Sequence, residues 1–170
     1  SRKGISVKES VIINEVGLRD GLQNQPVQVT TSDKARLAQS LVDAGVRHFE
    51  PVSFAHPNAV PQMADAALLA QQLPPTTASA PLYYTAMVPN LNGYLRAKAC
   101  GFKRVALLLS TTDSFNQRNL KMSRDEALQS CRDIIVQARQ DGIASRAYVA
   151  GALACPYDGH IAPAQTIALA

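Results

Sequence analysis

Arg19 and Asp20 stand side by side a few residues after the apolar run Val11-Ile12-Ile13, between Gly17 and Gly21. Placed together, a carboxylate can hold a divalent cation while a permanently charged guanidinium stabilises an oxyanion beside it. Three residues on, the amide of Gln23 can orient a metal-bound water or a substrate oxygen. Glu50 interrupts a β-branched and aromatic stretch, Val46 to Phe54, where a buried carboxylate is costly without a partner. Arg19, at the end of a neighbouring strand, is the obvious one. The same spacing also fits surface charges in an ordinary strand-to-loop turn, so the Arg-Asp pair alone leaves both readings open.

The elements needed to position these residues are legible as an alternation. A first strand, Val11 to Val16, delivers the Arg-Asp pair at its end, where barrel enzymes put their chemistry. The glycines at 17 and 21 let the backbone turn around it. Thr31 or Ser32 caps a helix with apolar positions Leu37, Ala38, Leu41 and Val42, which Gly45 ends. The second strand is Val46 to Phe54, followed by a loop with His56 and a helix from Pro61 to Leu73. Pro81 to Val88 is strand three, Leu91 to Cys100 a helix ended by Gly101, and Arg104 to Ser110 a buried fourth strand. Thr111 to Met122 is polar and reads as a binding loop. Ser123 and Glu126 form a capping-box start to a helix whose apolar stripe includes Leu128, Cys131, Ile134, Ile135 and Ala138. Ser145 to Ala154 is the fifth strand. Such alternation predicts right-handed βα units around a parallel sheet.

Several separated motifs are similar to the 3-hydroxy-3-methylglutaryl-CoA lyase family of metal-dependent TIM-barrel lyases and synthases. They are Gly17-Leu18-Arg19-Asp20-Gly21-Leu22-Gln23-Asn24, Phe49-Glu50-Pro51-Val52-Ser53-Phe54, Val60-Pro61-Gln62-Met63-Ala64-Asp65, Pro89-Asn90-Leu91, Ser114-Phe115 with Asn119, and Gly151-Ala152-Leu153-Ala154-Cys155-Pro156-Tyr157. The resemblance implies a (β/α)8 barrel and cleavage of 3-hydroxy-3-methylglutaryl-CoA to acetyl-CoA and acetoacetate. By the matching motif, Asp20 is a ligand to Mg or Mn, and Arg19 contacts the thioester oxygen where enolate charge develops. The resemblance further implies that Glu50 orients Arg19, rather than forming a purely structural ion pair, and that Ser53 lines the acyl-CoA site, while Asn119 either hydrogen-bonds substrate or caps its loop. His56 is read as a solvent-facing loop residue and Cys155 as structural or site-lining. Synthase and carboxyltransferase barrels share the Arg-Asp pair but differ around Leu22, and an oligomerising half-barrel is the reading without catalysis.

At 170 residues the chain is short for the roughly 250 of a whole barrel, so residues 11–170 read as about the first five βα units and residues 1–10 as a flexible lead. The family's His-x-His metal ligands, further Asn ligand and catalytic cysteine fall beyond residue 170, so the 170-residue piece alone is expected to be inactive. The net charge of +4 favours an anionic ligand such as coenzyme A but is too small and dispersed for nucleic acid. Three cysteines without C-x-x-C spacing indicate neither a zinc site nor a disulfide framework, and point to a reducing, cytoplasmic setting. No run has the length of a membrane span. A homo-oligomer is expected.

Overall fold

The apolar segments pair in the order in which they occur along the chain. In a computed structural model that describes residues 11–170, the strands are β1 (Asn14–Glu15), β2 (His48–Ser53), β3 (Tyr83–Met87), β4 (Arg104–Ser110) and β5 (Ala144–Ala150). They form one sheet in the order β1-β2-β3-β4-β5, parallel throughout. Right-handed crossovers that always step in one direction put α1, α2, α3 and α5 on the same face and leave the other face open and concave. The result is half of a TIM barrel. The helices are α1 (Thr31–Asp43), α2 (Ala66–Gln72), α3 (Leu91–Ala99), α4 (Asp113–Leu120), α5 (Arg124–Gln140) and α6 (Pro163–Ile167). The lead assigned to residues 1–10 lies outside the described residues.

Strand alternation divides the side chains between the two faces. Along β4, Val105, Leu107 and Leu109 join the main core with Ala97 of α3 and Cys131 and Ile134 of α5. Arg104, Ala106, Leu108 and Ser110 therefore point into the concavity. A smaller cluster of Leu18, Ala38, Phe49 and Leu82 seats α1 behind the first two strands. The capping box of α5 forms as expected: Ser123 accepts from the Glu126 N–H and Glu126 accepts from the Ser123 N–H. Gly45 and Gly101 end α1 and α3 at φ of 99° and 85°, the left-handed region that suits glycine.

Several boundaries differ from the sequence reading. The first strand is only Asn14–Glu15, because its ladder to β2 begins at Asn14↔His48; Val11, Ile12 and Ile13 extend past that partner and are exposed. The cap of α1 is Thr30, whose hydroxyl accepts from the Asp33 N–H, one residue before the two candidates. The expected helix from Pro61 is a 3-10 turn, Pro61–Met63, followed by the shorter α2. Lys34 holds this junction by donating to the Gln62 carbonyl and to Asp65. The polar stretch after β4 contains α4, not an open loop; Thr112 caps it, and the buried Asn116 bonds back to Ser110 and Thr112. β5 stops at Ala150, and Ala154–Cys155 pairs antiparallel with Gly159–His160 as β6 and β7.

Two stability effects follow. Asn116→Ala removes the partner of three backbone groups in a site closed to water, and is expected to cost about 3 kcal/mol by chemical denaturation; a change below about 1 kcal/mol would contradict this account of α4. Asp141, at the end of α5, accepts from Lys98 and from Tyr94, which hold its carboxyl down to about 2 from an ordinary 3.8. A depressed carboxyl stabilises the fold above its unfolded value and loses that effect as pH falls through its folded value. Stability should therefore decline between about pH 4 and pH 2, and Asp141→Asn should flatten that part of a denaturation–pH profile.

Candidate active site

The chain leaves β1 into a five-residue π-helical turn, Gly17–Gly21, which decides where Arg19 and Asp20 go. The Val16 carbonyl accepts from the N–H groups of both Arg19 and Asp20, and the Glu15 carboxylate accepts from the Gly17 N–H at 2.5 Å. Leu18 is driven fully into the core beneath the turn. The backbone turns at these glycines without a positive φ at either Gly17 or Gly21. Gly17 is required for space instead, since a Cβ there would lie 2.7 Å from a Glu15 carboxylate oxygen, while Gly21 faces open space. Asn24 donates to the Asp20 carbonyl, Gln25 to the Gly21 carbonyl, and Gln62 to the Gln25 carbonyl, tying the turn to the segment before α2.

Arg19 bridges two carboxylates of opposite character. Its Nη2 donates to Glu50, whose side chain is 0% exposed, and its Nη1 donates at 2.8 Å to Asp20, whose side chain is 57% exposed. Arg19 itself is 13% exposed. The second Glu50 oxygen accepts from the Tyr148 hydroxyl at 2.9 Å, across from β5. Burial, followed by the charge and hydrogen bond of Glu50, raises the Tyr148 hydroxyl above its usual value, with Arg146 acting in the opposite sense. Glu50 is thus satisfied on both oxygens, as a buried carboxylate must be. Three polar atoms are buried without a partner among the described residues: Arg19 Nε, Asn14 Nδ2 and Ser110 Oγ.

The structure therefore joins Arg19, Asp20 and Glu50 as the sequence predicted, and adds Tyr148. That residue was missed because it lies 98 positions from Glu50, on the fifth strand, with nothing local to pair the two. Arg146 and Tyr148, two apart along β5, were the available signal that a polar face exists there. Ser53 is buried at the end of β2, its hydroxyl accepting from the Ala55 N–H at 3.3 Å. Gln23 is half-buried just after the π-helical turn. Asn119 is exposed on α4, and the asparagine of that helix that reaches a strand end is Asn116. His56 is exposed and accepts from the Asn58 N–H. Cys155 is buried among Thr112, Asp158 and the Tyr157 N–H, and Cys131 lies in the core, where burial pushes its thiol up to about 11.

A hard cation such as Mg or Mn takes oxygen donors. Asp20 fits one such position, with one oxygen held by Arg19 and the carboxylate at the rim. Among the described residues no group of three His, Cys, Asp or Glu side chains converges as a metal site. No helix of the described residues is long and apolar enough to cross a membrane.

Comparison with known proteins shows the family to which the chain belongs. Residues 10–170 match the HMGL-like family. The chain is 40% identical over 160 residues to the mitochondrial hydroxymethylglutaryl-CoA lyase of Bos taurus, covering 92% of this chain and 47% of that protein. It is 37% identical over 164 residues to a 3-hydroxy-3-isohexenylglutaryl-CoA/hydroxy-methylglutaryl-CoA lyase of Pseudomonas aeruginosa, covering 95% and 53%. It is 34% identical over 169 residues to the (R)-citramalyl-CoA lyase of Chloroflexus aurantiacus, again covering 95% and 53%. The crystal structure of an HMG-CoA lyase from Bacillus subtilis superposes with a TM-score of 0.88 at 32% identity, over 94% of this chain and 52% of that one. The chain thus spans about half the length of the curated relatives it matches.

Removing one partner of a buried pair leaves the other charge uncompensated. Glu50→Ala should therefore destabilise the protein by about 3–5 kcal/mol, and Tyr148→Phe by about 1.5–3 kcal/mol, the usual worth of a hydrogen bond to a charged group. Equal and negligible losses in equilibrium denaturation would mean that the Arg19–Glu50–Tyr148 arrangement contributes nothing to the fold.

Proposed function

The chain belongs to the HMGL-like family, and from that premise we propose that it forms the Arg-Asp half of the active site of a carbon–carbon lyase acting on a 3-hydroxyacyl-CoA. The substrate proposed is 3-hydroxy-3-methylglutaryl-CoA, giving acetyl-CoA and acetoacetate. The observation that carries this reading is Arg19, fixed between the fully buried Glu50 and the rim-exposed Asp20 at the strand ends. The (R)-citramalyl-CoA lyase among the relatives supports a second acyl group within the same chemistry.

In this reaction a base takes the proton of the substrate's 3-hydroxyl, and C3 becomes the ketone of acetoacetate as the bond between C2 and C3 breaks. The electron pair of that bond moves onto the thioester as an enolate, which takes up a proton to give acetyl-CoA. Arg19 meets the charge that develops on the thioester oxygen. Its Nε, buried without an acceptor among the described residues, is a donor left over for such an oxygen. Glu50 and Tyr148 keep the guanidinium from turning away, so no reorganisation is needed as charge appears. A divalent cation, Mg or Mn, supplies Lewis-acid polarisation of the substrate's hydroxyl and carboxylate oxygens when bound. Asp20 is the residue that would hold it. Gln23 and Ser53 serve as substrate-side polar groups near the same rim, with Asn119 farther out on α4. One carboxylate is a weak site for a divalent cation, so the 170 residues alone would bind metal poorly and turn over no substrate. The outer edges of β1 and β5, which pair with no further strand among the described residues, suit a second copy in a homo-oligomer, and the three free cysteines suit a reducing, cytoplasmic setting.

The full-length protein, assayed with Mg or Mn, should release acetyl-CoA from 3-hydroxy-3-methylglutaryl-CoA. It should not condense acetyl-CoA with a 2-oxo acid; that product would replace the lyase reading with a synthase. Arg19→Gln should lower kcat by about 10²–10³-fold, the usual loss for one oxyanion donor. Asp20→Ala should weaken metal binding measured by calorimetry, separately from turnover.

A further inference from the structure

Nearer the N-terminal ends of the strands, the concave face carries a second polar group that the lyase chemistry leaves unused. His48 of β2 stacks on its register partner Tyr83 of β3, with ring centroids 4.5 Å apart. Arg104 of β4 lies over the same tyrosine, its guanidinium carbon 4.7 Å from the ring centroid. Arg146 of β5 pairs in register with Ala106, one step up the same inward row from Arg104. Thr85, next to Arg104 in register and nine-tenths buried, lines with both arginines a cavity of about 80 Å³.

The charge of this group is one-sided. Among the described residues, no carboxylate lies within 4 Å of Arg104 or Arg146. Glu50, the buried acid of the same face, is engaged by Arg19 and Tyr148. Burial, then the fields of Arg104 and Arg146, hold His48 below its ordinary value, so the imidazole does not add a third positive charge at neutral pH. A guanidinium keeps its charge under all these conditions and offers a planar fork of donors that matches an oxyanion. Both arginines line the same small cavity beside the buried Thr85, Arg104 half-buried over Tyr83 and Arg146 exposed on β5, where it also neighbours the Tyr148 hydroxyl.

We propose that Arg104, Arg146 and Thr85 form a binding site for one small oxyanion inside the barrel, at the end opposite Arg19 and Asp20, with the His48–Tyr83 stack holding Arg104 in place. The oxyanion is either a free phosphate-like or carboxylate anion or a carboxylate side chain presented from elsewhere in the chain. The site stands on its own geometry and does not depend on the lyase reading.

The test titrates inorganic phosphate into the full-length protein, read by calorimetry and by the shift in Tm, with Arg104→Gln as the variant and Arg104→Lys as the control that keeps the charge. A free-anion site shows one saturable phosphate per chain, weakened at least tenfold by Arg104→Gln and less by Arg104→Lys. A side-chain carboxylate shows no phosphate binding. In that case Arg104→Gln shifts the folding equilibrium at least tenfold at pH 7, and the difference shrinks when pH is lowered through the carboxylate range, which a lost cation–π contact would not do. If Arg104→Gln does not fold, Thr85→Val, which keeps the shape, should weaken either form several-fold. Phosphate binding that both variants leave intact would overturn the proposal. So would an absence of phosphate binding together with no pH-dependent difference in stability.

Discussion

The buried carboxylate of Glu50 is the constraint on which the rest of this half-barrel turns. It must find two donors without help from water, and it finds them on elements that are not its sequence neighbours: Arg19 after β1 and Tyr148 on β5. Strands in a sheet lie about 4.8 Å apart, so β2 and β5, with β3 and β4 between them, are separated by about 14 Å along the sheet. In a flat sheet their side chains would stand parallel and never meet. The 2.9 Å contact between the Tyr148 hydroxyl and Glu50 exists only because the sheet is rolled. One hydrogen bond therefore records the curvature, and the curvature brings the polar side chains of five strands into one space.

The same requirement explains the backbone around Arg19. A guanidinium must come in from the end of β1 at an angle that reaches Glu50 while its neighbour Asp20 stays at the rim. A strand continuing straight would alternate these side chains by half a turn per residue. The π-helical turn Gly17–Gly21 places three consecutive residues in three environments: Leu18 in the core, Arg19 against Glu50, and Asp20 towards solvent. Gly17 belongs to that arrangement through the carboxylate of Glu15, which occupies the space a Cβ would need. π-helical turns are rare and concentrate at functional sites, in keeping with the position of this one.

The concave face is polar along much of its length, with carboxylate-bound Arg19 at one end and arginines lacking a carboxylate among the described residues at the other. This sets it apart from barrels whose interior is packed with branched apolar side chains. Packing in this chain is concentrated on the helix side, where β2 to β4 meet α2, α3 and α5. Stability and chemistry are thus carried by opposite faces of the same strands, and residues adjacent in sequence serve different ends.

The sequence by itself determined the alternation of strands and helices, the parallel order, the capping box of α5 and the gathering of Arg19, Asp20 and Glu50. Each of these follows from local pattern: apolar period, cap chemistry, or a charged residue where none is tolerated unpaired. Recognition of the family motifs added the chemistry that the Arg-Asp spacing alone left open. What the sequence did not reveal depends on partners distant along the chain. The first strand shrank to Asn14–Glu15 because a ladder exists only where a neighbour stands opposite it. The polar stretch after β4 became α4 because Asn116 could answer backbone groups at Ser110, which its low apolar content gave no reason to expect. Tyr148 reached Glu50 only because the sheet is rolled, and His48, Tyr83, Arg104 and Arg146 form a row only because their strands pair in this register. Tertiary structure alone decided those contacts, because period and propensity specify which face a side chain takes but not what the curvature of the sheet will set against it.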